Sequence, residues 1–410
     1  MSAQVLLWLA GLVGLYMAWN IGANDVANAM GTSVGSRALT MRQAVALAGI
    51  LEFAGAVLVG AYVTDTVRKG IVDPSIFAES PMLLAYGMTA ALAAAAIWLN
   101  LATLLGWPVS TTHSIVGAIS GFGIIVGGLG CISWGKLGTV VASWVVSPLT
   151  GGVTAYLVYT FIRRRIIATE DPGVAARRHA PLLVAGMLFV LTLAMLFKGL
   201  KNLKLKLLWW HSGGLAVAAA ICGHLGVKLL SRDPASGTGS GRAGMEAVFR
   251  YLQIASAAFV AFAHGANDVA NAVGPMAAVF AIIQSGTVAQ KVQVALWILL
   301  VGGVGIVIGL ATYGYRVIAT VGSKITEVTP SRGFAAEIGA AITILVGSKL
   351  GLPLSTTHTL VGAVVGVGFA RGMSALNLGV IRSIIVSWLL TIPFAAGLCI
   401  ALFYLLRAVF

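Results

Sequence analysis

The sequence is poor in charged residues. Asp, Glu, Lys and Arg make up 9% of its 410 residues, whereas 59% are hydrophobic. A soluble domain does not keep its surface hydrated with so little charge. Between Pro81 and Gly135 there is no Asp, Glu, Lys or Arg, and that stretch is long enough to cross a bilayer about twice at ~20 residues per crossing. The composition therefore predicts an all-α integral membrane protein.

Cysteine is also scarce. Cys131, Cys222 and Cys399 lie far apart and form no CxxC or Cys/His spacing, so they indicate little beyond packing. The net charge of +14 does not indicate nucleic-acid binding, because the basic residues are spread over short loops, as is typical of the cytoplasmic side of a membrane protein. The first apolar run lacks the basic segment of a signal peptide, so we interpret it as a mature helix.

Three motifs occur twice, in the same order and at nearly the same spacing. GANDVANA stands at 22–29 and 265–272, GWPVSTTHSIVGA at 106–118 matches GLPLSTTHTLVGA at 351–363, and SWVVSP at 143–148 matches SWLLTIP at 387–393. We interpret the chain as an internal duplication. The first repeat spans 1–162 and the second 248–410. The connector, 163–247, contains two predicted transmembrane helices and a short linker rich in Gly and Ser, which we expect to be cytoplasmic.

The apolar runs predict the orientation of the repeats. About five runs in each repeat and two in the connector give about 12 transmembrane helices. An odd number of crossings separates the starts of the repeats, so we expect inverted repeats, which are typical of secondary transporters. The loop charges favour a cytoplasmic 163–179 segment, an external acidic loop at 65–79, and both termini outside the cell membrane. Four lysines disagree with this orientation because the count places them outside: Lys198, Lys201, Lys204 and Lys206.

The octapeptide places a carboxylate within each apolar half. Asp25 and Asp268 follow long apolar runs, where a charged side chain costs at least ~2.5–3.5 kcal/mol. Glycine and asparagine are poor helix formers, so we expect the helix to break here and free backbone carbonyls. Carboxylate, amide and carbonyl oxygens suit Na⁺. The predicted Na⁺ ligands are Asn24, Asp25, Asn28, Asn267, Asp268 and Asn271. Alternatively, the aspartates cap half-helices and the asparagines bond across helices.

The STTH motif has the opposite character. Pro108 and Pro353 favour a helix start, and hydroxyl residues follow each of them. We interpret each motif as the turn of a re-entrant hairpin whose second arm presents hydroxyls and free N–H groups to an oxyanion. The predicted phosphate ligands are Ser110, Thr111, Thr112, Ser355, Thr356 and Thr357. The alternative is a kinked helix whose hydroxyls bond to its own backbone.

Four further titratable residues are candidate accessory groups. His113 and His358 either relay protons, hydrogen-bond the anion, or are bonded within the bundle. Glu52 and Glu337 lie in apolar runs and are either functional or structurally paired. Neither repeated motif contains Lys or Arg, so phosphate beside two aspartates needs positive charge that arrives as cations or protons. Symport follows from this electrostatic requirement.

These motifs resemble those of the inorganic phosphate transporter (PiT) family, through GANDVANA twice, PVSTTH and PLSTTH at equivalent positions, and the duplication itself. The resemblance implies paired hairpins in two inverted repeats, phosphate uptake with Na⁺ or H⁺, and a central site lined by Asp25, Asp268 and both hydroxyl clusters. It also implies that Glu52 and Glu337 match membrane glutamates important in the family, and that the protein forms a homodimer. The short 231–247 segment departs from relatives with a large cytoplasmic domain, so regulation by such a domain is not carried over.

We therefore expect a Na⁺-coupled phosphate symporter with one site between the repeats, no covalent cofactor and no nucleic-acid partner. An alternative with the same architecture is an H⁺-coupled carrier whose cargo is phosphate, metal–phosphate or sulfate. An intramembrane hydrolase using Ser110 or Ser355 is a different class, but it needs only one nucleophile, whereas both halves carry the full set. A passive anion channel is disfavoured because buried aspartates oppose anion flow. We do not expect an enzyme.

Overall fold

The computed structural model describes residues 3–60, 71–194, 196, 209–230, 240–288, 294–349 and 354–409. Some features discussed above lie outside these residues. They are Lys198, Lys201, Lys204 and Lys206, the first part of the acidic loop with Asp65, most of the Gly/Ser linker, and Gly351 and Pro353 of the second STTH motif.

The described residues are almost entirely helical. In chain order the α-helices are α1 (Ala3–Gly35), α2 (Met41–Val59), α3 (Pro81–Leu104), α4 (Thr111–Gly127), α5 (Trp134–Ile162), α6 (Pro172–Ala194), α7 (Trp209–Leu230), α8 (Gly241–Ser285), α9 (Leu296–Tyr313), α10 (Tyr315–Ala319), α11 (Pro330–Lys349), α12 (Thr356–Arg371) and α13 (Leu378–Val409). Eight of the described helices are long and apolar enough to cross a membrane: α1, α2, α3, α5, α6, α8, α9 and α13. The predicted all-α membrane fold is confirmed.

Both octapeptides lie inside unbroken helices, 22–29 within α1 and 265–272 within α8. The expected helix break is therefore wrong. The octapeptide glycines serve packing instead, because a Cβ at Gly22 would lie 1.9 Å from the carbonyl oxygen of Ile306, and one at Gly265 would lie 2.0 Å from that of Glu52. Carbonyls of a continuous helix stay in helical hydrogen bonds, so the predicted cation site would draw on side chains.

Each octapeptide helix packs closely against a helix of the other half of the chain. A Cβ at Gly309 in α9 would lie 1.8 Å from the carbonyl oxygen of Trp19 in α1. In the same way, a Cβ at Gly55 in α2 would lie 2.1 Å from that of Phe262 in α8. The pairs α1–α9 and α8–α2 thus approach to backbone contact through matching glycines.

The STTH motifs begin helices, as predicted. Ser110 is the N-cap of α4 and its hydroxyl accepts a hydrogen bond from the backbone N–H of His113 at 3.3 Å. Ser355 caps α12 in the same way through the N–H of His358, also at 3.3 Å. Helix α3 leads into α4 through a turn at Gly106, whose φ of +69° favours glycine. Helices α3 and α4 pack together, as do α11 and α12.

A carboxylate joins the connector to α8. Asp171 caps α6 by accepting from the N–H groups of Gly173 and Val174, and it also accepts from the N–H of Gly241 at the start of α8. The bond from Gly241, followed by those from Val174 and Gly173, holds the pKa of Asp171 below its usual value. Asp171 therefore fixes the start of α8 against α6.

A second carboxylate, Glu246 of α8, holds the start of α11. It accepts from the backbone N–H and the hydroxyl of Ser331, both at 2.8 Å. We expect Glu246→Ala to lower the free energy of unfolding by about 2 kcal/mol, because hydrogen bonds to a charged group contribute ~1.5–3 kcal/mol. Thermal unfolding in detergent measures the change. Glu170→Ala is the control because Glu170 is exposed, and equal stability of the two variants contradicts the assignment.

Candidate functional site

The acidic side chains of the two octapeptides are buried together with their second asparagines. Asp25, Asn28, Asp268 and Asn271 are each between 1% and 3% exposed. Within each helix the aspartate and this asparagine are three residues apart, which places them on one face. We call these four residues and the six STTH hydroxyl residues the central site.

Each octapeptide reaches the hydroxyl motif of the other half. Asn28 donates through Nδ2 to Oγ1 of Thr357 at 2.8 Å. Asn271 donates through Nδ2 to Oγ1 of Thr111 and of Thr112, both at 3.2 Å. Residues predicted to bind the cation therefore lie within hydrogen-bond distance of residues predicted to bind phosphate. The bonds run in both directions between the two halves.

The starts of α4 and α12 lie side by side at the central site. The hydroxyl of Thr357 donates to the backbone oxygen of Val109 at 3.4 Å, just ahead of α4. The first N–H groups of a helix have no acceptor within it and carry partial positive charge. Thr112 and Thr356 remain partly exposed, whereas the other four predicted hydroxyl residues are buried. This arrangement offers donors to an oxyanion.

The first asparagine of each octapeptide is bonded differently from the second. Asn24 donates to the backbone oxygen of Trp107 at 3.0 Å and accepts from the N–H of Val109 at 3.1 Å, so it holds the turn between α3 and α4. Asn267 donates to Oδ1 of Asp268 at 3.0 Å. These bonds order the turn between α3 and α4 and one carboxylate, and cation binding by Asn24 and Asn267 stays a prediction.

A histidine outside the repeated motifs lies against the central site. His264 directly precedes the second octapeptide, where the first half has Ile21. Its Nε2 lies 2.9 Å from Oδ2 of Asp268 and 3.8 Å from Oδ2 of Asp25. Its Nδ1 lies 3.2 Å from Oε1 of Glu52. In the sequence, the difference between Ile21 and His264 directly before the two octapeptides is the signal that points to this histidine.

The two membrane glutamates have different surroundings. Glu52 is buried beside His264, and neither of its oxygens has a hydrogen-bond partner among the described residues. Glu337 is also buried, but its carboxylate accepts hydrogen bonds from four side chains, those of Thr32, Ser33, Gln253 and Ser256. Glu337 is thus structurally paired, joining α1, α8 and α11, whereas Glu52 faces the central site.

The STTH histidines contact each other behind the hydroxyls. The rings of His113 and His358 lie edge to face with centroids 4.8 Å apart, and Trp388 stacks on His358 at 3.7 Å. Trp144 lies 5.4 Å from His113. The two tryptophans belong to the third repeated motif, so all three motifs meet in one region. Both histidines are buried in aromatic surroundings.

Comparisons with known proteins find relatives over nearly the whole chain. A family model described as the phosphate transporter family matches residues 21–399. A Pyrococcus abyssi protein named as a phosphate permease is 48% identical over 97% of this chain and 97% of its own length. Inorganic phosphate transporter 2-1, chloroplastic, of Arabidopsis thaliana is 46% identical over 98% of this chain and 72% of its own length. A solved structure described as the sodium-dependent phosphate transporter has a TM-score of 0.89 and 41% identity, covering 99% of this chain and 100% of that chain.

The family match over residues 21–399 defines this helical membrane chain as a membrane transporter. The chain belongs to the phosphate transporter family. It is a multi-pass membrane protein and not an enzyme, as the sequence predicted, so the hydrolase alternative is excluded.

Proposed function

We propose that this protein imports inorganic phosphate by symport with Na⁺ at the central site. The observation that carries the proposal is a set of hydrogen bonds between the two halves, from Asn28 to Thr357 and from Asn271 to Thr111 and Thr112. Each bond links an octapeptide to a hydroxyl motif. Binding of the cation and binding of the anion are therefore coupled through direct contacts.

Charge in the protein interior supports cation-dependent anion binding. The buried carboxylates among the described residues are Asp25, Glu52, Asp268 and Glu337, and no Lys or Arg is buried there. A phosphate anion beside this cluster is repelled strongly in a low-dielectric site. Cations bound beside it reverse the sign of the interaction, so phosphate binds when the cations are present.

Unpaired oxygens supply the Na⁺ ligands. Both carboxylate oxygens of Asp25, Oδ1 of Asn28 and Oδ2 of Asp268 are buried with no hydrogen-bond partner among the described residues. Carboxylate and amide oxygens are ligands for a hard cation. The relative described as sodium-dependent supports Na⁺ as this ion.

Alternating access between the repeats completes the proposed mechanism. The matching glycine contacts of α1–α9 and α8–α2 support two inverted halves that rock about the central site, with the α3–α4 and α11–α12 pairs as gates. The homodimer and the outside location of both termini remain predictions.

A second candidate is H⁺-driven uptake, and His264 favours it. An imidazole between two carboxylates is a group that binds and releases protons. In that mechanism a proton on His264 replaces Na⁺ as the counter-charge for phosphate, while the fold and the phosphate ligands stay the same.

Phosphate uptake into proteoliposomes distinguishes the two candidates. We expect an inward Na⁺ gradient to drive accumulation of labelled phosphate that excess sulfate does not inhibit, because hydroxyls can accept a hydrogen bond from phosphate and neutral-pH sulfate has none to donate. Accumulation driven only by an inward proton gradient contradicts Na⁺ coupling and favours the second candidate. Accumulation of sulfate in place of phosphate contradicts the substrate assignment.

A further inference from the structure

Three buried carboxylates from three helices surround the ring of His264. Asp25 from α1 and Asp268 from α8 lie on its Nε2 side, and Glu52 from α2 lies on its Nδ1 side. One ligand atom from each of Asp25, His264 and Asp268 lies within 4.8 Å of the others. The three residues are therefore close enough to bind a single ion.

The atoms of this cluster are unsatisfied despite their proximity. Both ring nitrogens of His264, both oxygens of Asp25 and Oδ2 of Asp268 have no hydrogen bond of acceptable geometry with any described residue. Buried polar atoms are normally paired. A cation placed between Nε2 and the two carboxylates satisfies all three residues at once.

The nitrogen donor determines which cation fits. Na⁺, Mg²⁺ and Ca²⁺ take oxygen ligands, whereas imidazole suits first-row transition metals such as Zn²⁺ and Co²⁺. Two carboxylates and one imidazole leave the fourth position of a tetrahedral ion open. Asp25, His264 and Asp268 match this ligand set.

Glu52 occupies the place of an outer partner. Metal-binding histidines usually direct their other ring nitrogen to a carboxylate, which sets the tautomer and the ring orientation. Glu52 lies 3.2 Å from Nδ1, and the glycine contact between Gly265 and the backbone of Glu52 brings the two helices close enough for this. The matching positions of the α1–α9 pair are Ile21 and Ile306, so only one half has a nitrogen ligand and its partner.

We propose that Asp25, His264 and Asp268 bind a divalent first-row transition-metal ion, Zn²⁺ or Co²⁺, with Glu52 as the positioning residue for His264. This ion shares Asp25 and Asp268 with Na⁺, so it competes with Na⁺ and inhibits Na⁺-driven uptake. The inhibition rests on the proposed function, whereas metal binding itself does not.

Titration of the purified full chain in detergent with Co²⁺ tests the site, because bound Co²⁺ absorbs visible light according to its geometry. We expect tetrahedral-type absorption that saturates at one ion per chain and weakens as Na⁺ is added. Loss of an outer partner weakens metal binding about 10- to 100-fold. His264→Gln removes a ligand itself, so we expect it to weaken Co²⁺ binding by more than this. Glu52→Gln is expected to weaken it about 10-fold and shift the absorption.

His179→Gln is the matched control, because His179 bonds the backbone of its own helix at Ala175, away from the cluster. Absence of saturable Co²⁺ absorption in the wild type, or His264→Gln binding as tightly as His179→Gln, overturns the metal site. If His264→Gln does not fold, Asp268→Asn takes its place in the same comparison. Failure of Na⁺-driven uptake with Co²⁺ binding intact contradicts only the proposed function, and uptake without Co²⁺ binding contradicts only the metal site.

Discussion

Asp25→Asn is expected to reduce Na⁺-driven phosphate uptake by about 100-fold or more, since removing one member of a buried charge pair costs ~2–5 kcal/mol. The amide has nearly the same shape but carries no charge to hold a cation. The fold should survive, because neither oxygen of Asp25 accepts a hydrogen bond from any described residue. Labelled-phosphate uptake by variants that elute as a single species in size-exclusion chromatography measures the loss.

Asp73→Asn is the control for this substitution. Asp73 lies in a loop, where its carboxylate accepts from the N–H and the hydroxyl of Ser75, far in sequence from both octapeptides. Uptake should be unchanged in this variant. Normal Na⁺-driven uptake by Asp25→Asn would remove Asp25 from the cation site. Asp268→Asn is expected to have the same effect as Asp25→Asn, although this variant also alters the acceptor of Asn267.

Gly265→Ala is expected to lower the free energy of unfolding by ~3 kcal/mol or more, at the upper end of the cost of overpacking. Its Cβ would lie 2.0 Å from the carbonyl oxygen and 2.5 Å from the Cα of Glu52. These are backbone atoms, which cannot move aside as a flexible side chain does, so α2 and α8 have to separate. That separation also moves Glu52 from His264, and uptake should fall with stability.

Gly186→Ala provides the matched comparison for Gly265→Ala, because a Cβ at Gly186 in α6 would meet no atom within 4 Å. Thermal unfolding in detergent compares the two. A helical glycine replaced by alanine without a clash is expected to stabilise slightly. Equal unfolding midpoints for Gly265→Ala and Gly186→Ala would show that the close approach of α2 and α8 is not required.

The buried carboxylates Glu337 and Asp25 differ in their hydrogen-bond partners. Glu337 accepts from four side chains on α1 and α8, and such charge-assisted bonds compensate for lost hydration. Asp25 has no such donor. An unpaired buried charge is costly, so a cation bound as in the proposed function would stabilise Asp25. The difference explains why the transport proposal rests on the octapeptides and not on Glu337.

The sequence by itself determined the membrane class, the placement of both motifs and the starts of α4 and α12. These features are local, because hydropathy reflects the solvent around each segment and a serine followed by free N–H groups caps its own helix. The prediction that hydroxyl and carboxylate motifs share one site rested on their repetition, and the bonds of Asn28 and Asn271 agree with it.

Only the tertiary structure decided that the octapeptide helices are continuous and that His264 joins the site. Gly22 and Gly265 weaken a helix taken alone, and the prediction of a break followed from that propensity. Packing overrides propensity here, because each glycine lets a backbone from the other half approach. His264 belongs to no repeated motif, and its surroundings come from α1 and α2, more than two hundred residues away in the chain. Contacts between segments so distant depend on the three-dimensional packing, which a local pattern does not contain.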